Sequence, residues 1–522
     1  MGKLEFVVKE NILGKVNRHW QFSIGSGHAP LALRTDYVEQ LQFIRNELGV
    51  ERVRFHGILS DDMHTFHSLK DIIPVDGAEK FKDWSFDQVG LVYDNILKCG
   101  VKPFVEISFM PRELAKSGKT GVFFYKPIIS LPDSMEAWGE YIRSFVRYLI
   151  RRYGIEEVRT WYFEVWNEPD LQMVFFDGTM EDYFDFFRET FHAIKSVDHE
   201  IRVGGPSTSG CKWVGEFLSY CREHNLLPDF VSSHQYAGDP IGGVTEDKGA
   251  NEFSPTRMKE VLKNASGGSI LEGLRLLRED KSETKELPKD LFVRNASLLK
   301  GEAGEIPILF TEWNSNAIFS AYTNDTRKTA AYVVKNALLV EKYVAGSSLW
   351  CFSDVFEELH FFREEFHGGF GLLTRNGIPK PAFHGMKMLS DIGDTRLQVE
   401  RADLESDLFV DAFRKNGDIQ VIVTDQQMKQ GDSAKKEIAI SIMSTNKPLK
   451  VLLRSITEEK CNPLRMWQSM GSPSDMTPHE IEMIKEKSAM QIEEIPFVFG
   501  NDCIEVELKV GVNDVFMIEA LM

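Results

Sequence analysis

The 522-residue sequence predicts an α/β fold, a (β/α)8 TIM barrel followed by a C-terminal antiparallel β-sandwich. Strand-like apolar runs and amphipathic helical patterns alternate eight times between about residues 20 and 390. After about residue 394, short alternating runs appear that are typical of antiparallel strands. No glycine-rich phosphate-binding motif follows an early strand, which disfavours the alternative of an open doubly wound sheet.

Eight strands are predicted for the barrel, one for each β/α repeat. They cover Trp20–Gly27, Val53–Leu59, Lys102–Phe109, Trp161–Glu168, Ile201–Thr208, Asp229–Tyr236, Ile306–Trp313 and Ser347–Asp354. Helices are predicted at Tyr37–Leu48, Phe86–Cys99, Met135–Tyr153, Met180–Val197, Trp213–His224, Arg327–Val344 and Lys380–Ile392. The long polar segment Gly238–Glu305 is predicted to be an elaborated loop with one or two helices and a solvated charge run at Arg278–Glu283.

The C-terminal region is predicted to form an accessory sheet domain. Its strands are expected at Asp407–Arg414, Ile419–Thr424, Lys436–Ile442, Lys450–Ser455, Cys503–Leu508 and Asp514–Ile518, with a helix at Thr477–Met490. The N-terminal strand Lys3–Lys9 has no sheet of its own, and unpaired strand edges are avoided, so we expect it to pair within this domain. The predicted domains are residues 16–393 for the barrel, and residues 1–15 with 394–522 for the β-sandwich.

Composition excludes several classes of partner. The net charge of −18, from 61 basic and 79 acidic residues, argues against nucleic acid or an anionic membrane and suits a neutral ligand such as a sugar. The six scattered cysteines lack metal-ligand spacing and are expected to be reduced thiols. No apolar run reaches 18 residues, and no signal segment opens the chain, so the expected location is cytoplasmic unless a leader has been removed.

Two carboxylates end predicted barrel strands in matching settings. Glu168 follows Asn167 at the end of the fourth strand and directly precedes a proline, and Glu312 ends the seventh strand beside a tryptophan. The C-terminal ends of barrel strands meet at one face, where active sites form. Hydrolysis of a glycosidic bond needs two carboxyl groups there, one a proton donor with a raised pKa and the other ionised. Either glutamate alone would be read as a strand-end salt bridge.

Other strand ends carry polar and aromatic side chains that suit a sugar ring and its hydroxyls. They are His56, His234, Tyr236, Trp350 and, in the loop after the eighth strand, Glu358. Asn167 could hydrogen-bond the sugar 2-hydroxyl, and Tyr236 could keep a nucleophilic carboxylate ionised. A metal site is disfavoured because the histidines and carboxylates lie on different strands without local ligand spacing.

The motifs Trp166-Asn167-Glu168-Pro169 and Thr311-Glu312-Trp313-Asn314 resemble clan A of the glycoside hydrolases, and more narrowly family 39, the β-xylosidase group. Further matching motifs are His56–Asp62, Lys102–Ile107, Ser353–Glu358, Phe366–Leu373 and Ile378–Pro381, so the resemblance covers nearly the whole chain. It implies a retaining mechanism with Glu168 as acid/base and Glu312 as nucleophile. It also implies no cofactor, frequent tetramers, and a glycone pocket lined by His56, Asn167, His234, Tyr236, Trp350 and Glu358.

The function predicted is that of an exo-acting retaining β-xylosidase acting on a small sugar or oligosaccharide. Two alternatives stay open: another exo-glycosidase of the family, of the α-L-arabinosidase or α-L-iduronidase type, and a non-catalytic carbohydrate-binding barrel. An iduronidase would need a cationic clamp for its substrate carboxylate, and Lys and Arg are sparse in the strand-end motifs. For a retaining pair we expect the carboxyl groups of Glu168 and Glu312 to lie about 5–5.5 Å apart.

Overall fold

The computed structural model describes residues 3–522 apart from residues 173, 239–258, 260, 264, 279–289, 318, 320, 360, 402–407 and 429–434. In chain order the strands are β1 (Leu4–Lys15), β2 (Ser23–His28), β3 (Arg52–His56), β4 (Phe66–Ser68), β5 (Lys82–Trp84), β6 (Lys102–Ile107), β7 (Tyr162–Val165), β8 (Arg202–Ser209), β9 (Phe230–Gly238), β10 (Ile308–Asn316), β11 (Gly346–Leu349), β12 (Thr395–Arg401), β13 (Phe409–Lys415), β14 (Asp418–Thr424), β15 (Lys436–Met443), β16 (Lys450–Ile456), β17 (Ile492–Ile495), β18 (Val498–Gly500), β19 (Cys503–Val510) and β20 (Val515–Leu521).

The helices mostly alternate with the strands of the first 390 residues. They are α1 (Thr35–Leu48), α2 (Asp87–Lys98), α3 (Met135–Tyr153), α4 (Ile155–Val158), α5 (Met180–Val197), α6 (Val214–Glu223), α7 (Ile270–Arg278), α8 (Leu291–Ala303), α9 (Arg327–Val340), α10 (Pro381–Asp391), α11 (Pro463–Ser469) and α12 (Pro478–Lys487). No helix in the described part of the chain combines the length and the apolar character that crossing a bilayer requires.

Eight parallel strands close into a barrel in the order β10-β11-β2-β3-β6-β7-β8-β9. All eight predicted strands and all seven predicted barrel helices are present, with bounds shifted by a few residues. The alternation of strands and helices is visible in the sequence because strands buried on both faces are continuously apolar, whereas the helices expose one polar face. The carboxyl ends of β3, β6, β7, β9, β10 and β11 therefore converge on one face of the barrel.

The C-terminal strands and β1 form a second, largely antiparallel sheet. Its ten strands are hydrogen-bonded in the order β17-β16-β20-β14-β13-β12-β1-β15-β19-β18. The predicted separate β domain is thus present, but its described strands make one continuous sheet. Side chains from both halves of this sheet, such as Val451 on β16 and Val506 on β19, share one apolar core, so the sheet curls around that core.

The N-terminal strand is paired within this second sheet, as the sequence predicts. Val8 lies opposite Val399 of the antiparallel neighbour β12 and opposite Ile442 of the parallel neighbour β15. The strand runs to Lys15 and is longer than predicted. Because β12 begins at Thr395, we propose the domain boundaries near residues 15/16 and 393/394.

The segment between β9 and β10 contains the two helices α7 and α8, in agreement with the predicted elaborated loop. Residues 239–258 and 279–289 of this segment, including most of the predicted charge run, lie outside the described residues.

Candidate active site

Glu168 lies in the turn that follows β7, and Glu312 lies in the middle of β10. The backbone is left-handed at Trp166 and Glu168, with φ of 73° and 42°, which turns the chain sharply out of β7. The amide of Glu168 donates to the carbonyl oxygen of Ser207 at 2.9 Å, and this bond fixes the turn against β8. One carboxylate oxygen of Glu168 and one of Glu312 lie within 4.8 Å of each other.

Two residues of β9 join these carboxylates. His234 and Tyr236 are two positions apart and therefore face the same side of the strand. His234 Nδ1 lies 2.9 Å from Glu168 Oε1 and 3.6 Å from Glu312 Oε2. Burial lowers the pKa of His234, but the negative charges of Glu312 and Glu168 outweigh it, and the pKa is raised above its ordinary value. The Tyr236 hydroxyl donates to Glu312 Oε2 at 2.7 Å.

Arg54, in the middle of β3, is a central member of the site that the sequence does not predict. Its side chain is fully buried, and its guanidinium donates to Glu312 Oε1 at 2.7 Å, Glu164 Oε2 at 2.6 Å and Asn167 Oδ1 at 3.0 Å. Its Nη2 also lies 2.8 Å from Glu106 Oε2. The planar guanidinium thus holds several acceptors in fixed directions, which one lysine could not do.

The charges around Glu312 favour its ionised form. Burial raises the pKa of Glu312, but the positive charges of His234, Arg54 and His56 together with the hydrogen bond from Tyr236 lower the pKa below its ordinary value. Glu312 is therefore a carboxylate at neutral pH, held by donors on both oxygens.

His56 connects Glu312 to two further carboxyl groups, those of Glu106 and Glu358. Its Nδ1 lies 2.7 Å from Glu106 Oε2, and its Nε2 lies 3.4 Å from Glu358 Oε1 and 3.6 Å from Glu312 Oε1. Burial lowers the pKa of His56, but the carboxylate of Glu106 outweighs it and raises the pKa to about 9. The ring of Trp350 packs against the imidazole at a centroid distance of 4.9 Å.

Glu358 has the opposite electrostatic setting from Glu312. Burial raises the pKa of Glu358 well above its ordinary value, and the nearby charges of Glu312, Glu106 and Glu168 add to this shift against the pull of His56. Its Oε1 has no hydrogen-bond partner among the described residues. Beside its 3.4 Å contact with His56 Nε2, this buried carboxyl oxygen can accept a hydrogen bond from a ligand hydroxyl.

All the predicted site residues belong to one connected cluster. Contacts within hydrogen-bonding or ring-packing distance join Glu168, Glu312, His56, Asn167, His234, Tyr236, Trp350 and Glu358. Arg54 and Glu164 also belong to the cluster, although neither is a predicted site residue. Their positions inside strands, rather than at strand ends, gave no signal in the motifs.

A metal ion is a poor fit to this cluster. Among the described residues, Glu168, His234 and Glu312 have donor atoms within 4.8 Å of one another, a proximity that local sequence spacing could not reveal. Both oxygens of Glu312 already accept hydrogen bonds, from Arg54 and Tyr236. A cation would have to displace these donors and lie beside a guanidinium, so the contacts favour a hydrogen-bond network.

The chain matches known proteins over nearly its whole length. The family model for glycosyl hydrolases family 39 matches residues 4–266 and 276–502. The chain is 34% identical over 500 residues to a beta-xylosidase of Caldicellulosiruptor saccharolyticus, spanning 95% of this chain and 94% of that protein. It is 31% identical over 468 residues to a beta-xylosidase of Geobacillus stearothermophilus, spanning 89% and 85%. The crystal structure of a monomeric beta-xylosidase from Caulobacter crescentus CB15 superposes with a TM-score of 0.78 at 27% identity and covers 99% of both chains.

Proposed function

This chain belongs to glycosyl hydrolase family 39 and is a glycoside hydrolase, and we propose that it is an exo-acting β-xylosidase that works with retention of configuration. The observation that carries the proposal is the pairing of Glu168 with an ionised Glu312 across a short gap. The two full-length relatives named as beta-xylosidases support the choice of glycone.

In the proposed first step, a Glu312 carboxylate oxygen attacks the anomeric carbon while the glycosidic bond breaks. The carboxyl group of Glu168 gives its proton to the departing oxygen, so the aglycone leaves as a neutral alcohol. A covalent glycosyl-enzyme and an ionised Glu168 remain. In the second step Glu168 takes a proton from water, whose oxygen attacks the anomeric carbon and releases Glu312.

The separation of the two carboxyl groups supports retention over inversion. An inverting pair stands about 6.5–9.5 Å apart because a water molecule must fit between the base and the sugar. One carboxylate oxygen of Glu168 and one of Glu312 lie within 4.8 Å of each other, a closer approach than that spacing, which favours a retaining pair. Direct attack by Glu312 agrees with its donors, because Arg54 and Tyr236 keep it ionised and oriented.

The charge of the pocket favours a neutral glycone over a uronic acid. Five carboxyl groups lie around the site, those of Glu106, Glu164, Glu168, Glu312 and Glu358. Within the described residues, the cations in contact with them at the pocket, Arg54, His56 and His234, are each already engaged by carboxylates. The cationic clamp that an iduronide would need is therefore not offered by these groups.

Asn167 supports a role in binding the 2-hydroxyl of the sugar. It directly precedes Glu168, and its side-chain oxygen accepts a hydrogen bond from Arg54, which fixes the orientation of the amide. The amide nitrogen then points away from the guanidinium and is available as a donor.

Exo action, a tetrameric assembly and a cytoplasmic location stay predictions. Light scattering would test the assembly, since the matched Caulobacter enzyme is described as monomeric.

The test compares Glu168→Ala and Glu312→Ala on 4-nitrophenyl β-D-xyloside, with Glu136→Ala, an exposed glutamate of α3, as the control. Glu312→Ala should lose several powers of ten in rate because no covalent intermediate can form. Glu168→Ala should keep its first step on this good leaving group, accumulate the glycosyl-enzyme, and regain turnover when azide is added.

The configuration of the azide product, read by NMR, decides the roles. Retained product from Glu168→Ala and inverted product from Glu312→Ala support the assignment. The reverse pattern would exchange the two roles. Activity of both variants equal to that of Glu136→Ala would remove the two glutamates from the mechanism. No cleavage by the wild type or by Glu136→Ala would leave the alternative of a non-catalytic sugar-binding barrel.

A further inference from the structure

Lys380, just before α10, is a buried lysine outside the catalytic cluster. Its Nζ lies 2.7 Å from Asp325 Oδ1 and 2.5 Å from Asp354 Oδ2, and it donates to the carbonyl oxygen of Gly369 at 3.0 Å. The three charged side chains have at most 2% of their surface exposed. Buried charges are unfavourable unless each one is paired, so this cluster fixes its members tightly in place.

The two aspartates lie in loops that follow neighbouring barrel strands. Asp325 lies between β10, which carries Glu312, and α9. Asp354 lies in the loop after β11, between Trp350 and Glu358. Lys380 therefore links the loop that follows β10, the strand of Glu312, to the loop that follows β11 and contains Trp350.

The same aspartates also hold one glycine-rich turn, Gly368–Gly371. The amide of Gly368 donates to Asp325 Oδ2 at 2.7 Å, and the amide of Gly371 donates to Asp354 Oδ1 at 2.7 Å. A Cβ at Gly369 would overlap the Asp354 carboxylate, and a Cβ at Gly371 would overlap the Asp354 backbone. The glycines are therefore required for the close approach of the turn to Asp354.

Phe370, within this turn, supports the aromatic wall of the pocket. Its ring lies 5.8 Å from that of Phe356, which lies 6.2 Å from that of Trp350. The amide of Cys351, next to Trp350, donates to the carbonyl oxygen of Phe370 at 3.2 Å. Tyr236 belongs to the same apolar cluster as Trp350 and Phe370.

We propose that Lys380 is a positioning residue for glycone binding. Through Asp325 and Asp354 it fixes the turn that carries Phe370, and Phe370 fixes Trp350. Lys380 contacts neither Glu168 nor Glu312, so its effect reaches the sugar through the pocket wall. The inference rests on the proposed function, because the sugar is the ligand that this wall would contact.

The test replaces Lys380 by Met and uses Lys436→Met as a matched control. Lys436 also pairs with a buried aspartate, Asp425, at 2.9 Å, but it lies in the C-terminal sheet. Each variant is assayed well below its own Tm with 4-nitrophenyl β-D-xyloside, and the Kd of xylose is measured by calorimetry. For Lys380→Met we expect KM and Kd to rise about tenfold while kcat falls less than threefold. Lys436→Met should change each constant less than twofold, even if its Tm falls equally.

Constants for Lys380→Met that match those of Lys436→Met would overturn the proposal. If Lys380→Met does not fold, Phe370→Leu decides, because it leaves the ion cluster intact and should reproduce the loss of affinity. If the wild type neither cleaves the xyloside nor binds xylose, the proposed function has failed, and amide hydrogen exchange tests the positioning role separately. Exchange at residues 350–358 and 366–373 should then rise in Lys380→Met only, and unchanged exchange there would overturn it.

Discussion

Arg54 shows how one side chain makes a crowded anionic site compatible with burial. Glu106, Glu164 and Glu312 each lie within 2.8 Å of the same guanidinium, so one buried cation is paired with all three carboxyl groups. Such a buried pair need not stabilise the fold beyond what apolar residues would. The role of Arg54 is to fix geometry, because its guanidinium orients the Glu312 carboxylate and the Asn167 amide at the same time.

His56 gives a pH dependence with a definite sign. Its pKa is raised to about 9 from an ordinary value of 6.5, so its interactions stabilise the fold fully below about pH 6.5 and are lost as the pH rises through about 9. The difference in unfolding free energy between wild type and His56→Asn should therefore shrink by up to about 3 kcal/mol between pH 6 and pH 9.5.

Urea denaturation at the two pH values measures this difference, with His67→Asn as the control, since His67 is exposed. The control should show a difference near zero at both pH values. A His56→Asn difference that stays constant or grows with pH would contradict the expected charge state of the imidazole.

At the scale of elements, carboxylates that interrupt an apolar run were easier to predict as site residues than polar residues in an alternating pattern. Glu168 and Glu312 stand out because each interrupts an apolar run beside an amide or an aromatic residue. Arg54 and Glu164 lie inside short strands, where one polar residue in an alternating pattern reads equally well as solvent-facing. Only closure of the barrel turns these side chains inward and brings them together, and closure is not visible in the local sequence.

In the second sheet, too, local sequence patterns failed to predict several strands. β12 is absent from the prediction because Arg396, Gln398, Glu400 and Arg401 make it look like a polar loop, whereas in the fold it pairs with β1, some 390 residues away. β17 and β18 are too short to stand out as periodic runs. The pairing of β1, in contrast, followed from a general argument about unpaired strands, which did not depend on local pattern.

We expect β1 to stabilise the fold only through the residues that face the core of the second sheet. Phe6 and Val8 of β1 are buried in the core of the second sheet, whereas Ile12 of the same strand is 62% exposed. We expect Phe6→Ala to lower the free energy of unfolding by about 3–5 kcal/mol. Ile12→Ala should change it by less than about 0.5 kcal/mol. Thermal denaturation followed by circular dichroism compares the two variants, and equal losses would contradict the prediction that only the buried residues of β1 stabilise the sheet.

At the scale of the whole molecule, the second sheet is packed on both of its faces. One face, including Val421 and Ile518, encloses the sheet's own core. The other face, including Ile422 and Met517, joins the core of the barrel. An ion pair at the same junction links Arg454 to Asp391 at 2.6 Å. Because barrel and sheet share an apolar core, we expect the wild type to unfold in a single cooperative transition.

Two pairs of cross-strand neighbours test that coupling with closely matched changes. Ile422 lies opposite Met517, and Val421 lies opposite Ile518, on the same two strands but on opposite faces, and all four are fully buried.

Each double alanine variant should lose several kcal/mol, since one large-to-small core change costs about 2–5 kcal/mol. Only Ile422→Ala/Met517→Ala removes contacts between sheet and barrel. Its calorimetric transition should therefore broaden or split, with activity and far-ultraviolet circular dichroism lost at different temperatures. Val421→Ala/Ile518→Ala should keep one transition at a lower Tm. Identical profiles for the two variants would show that the shared core does not couple the domains.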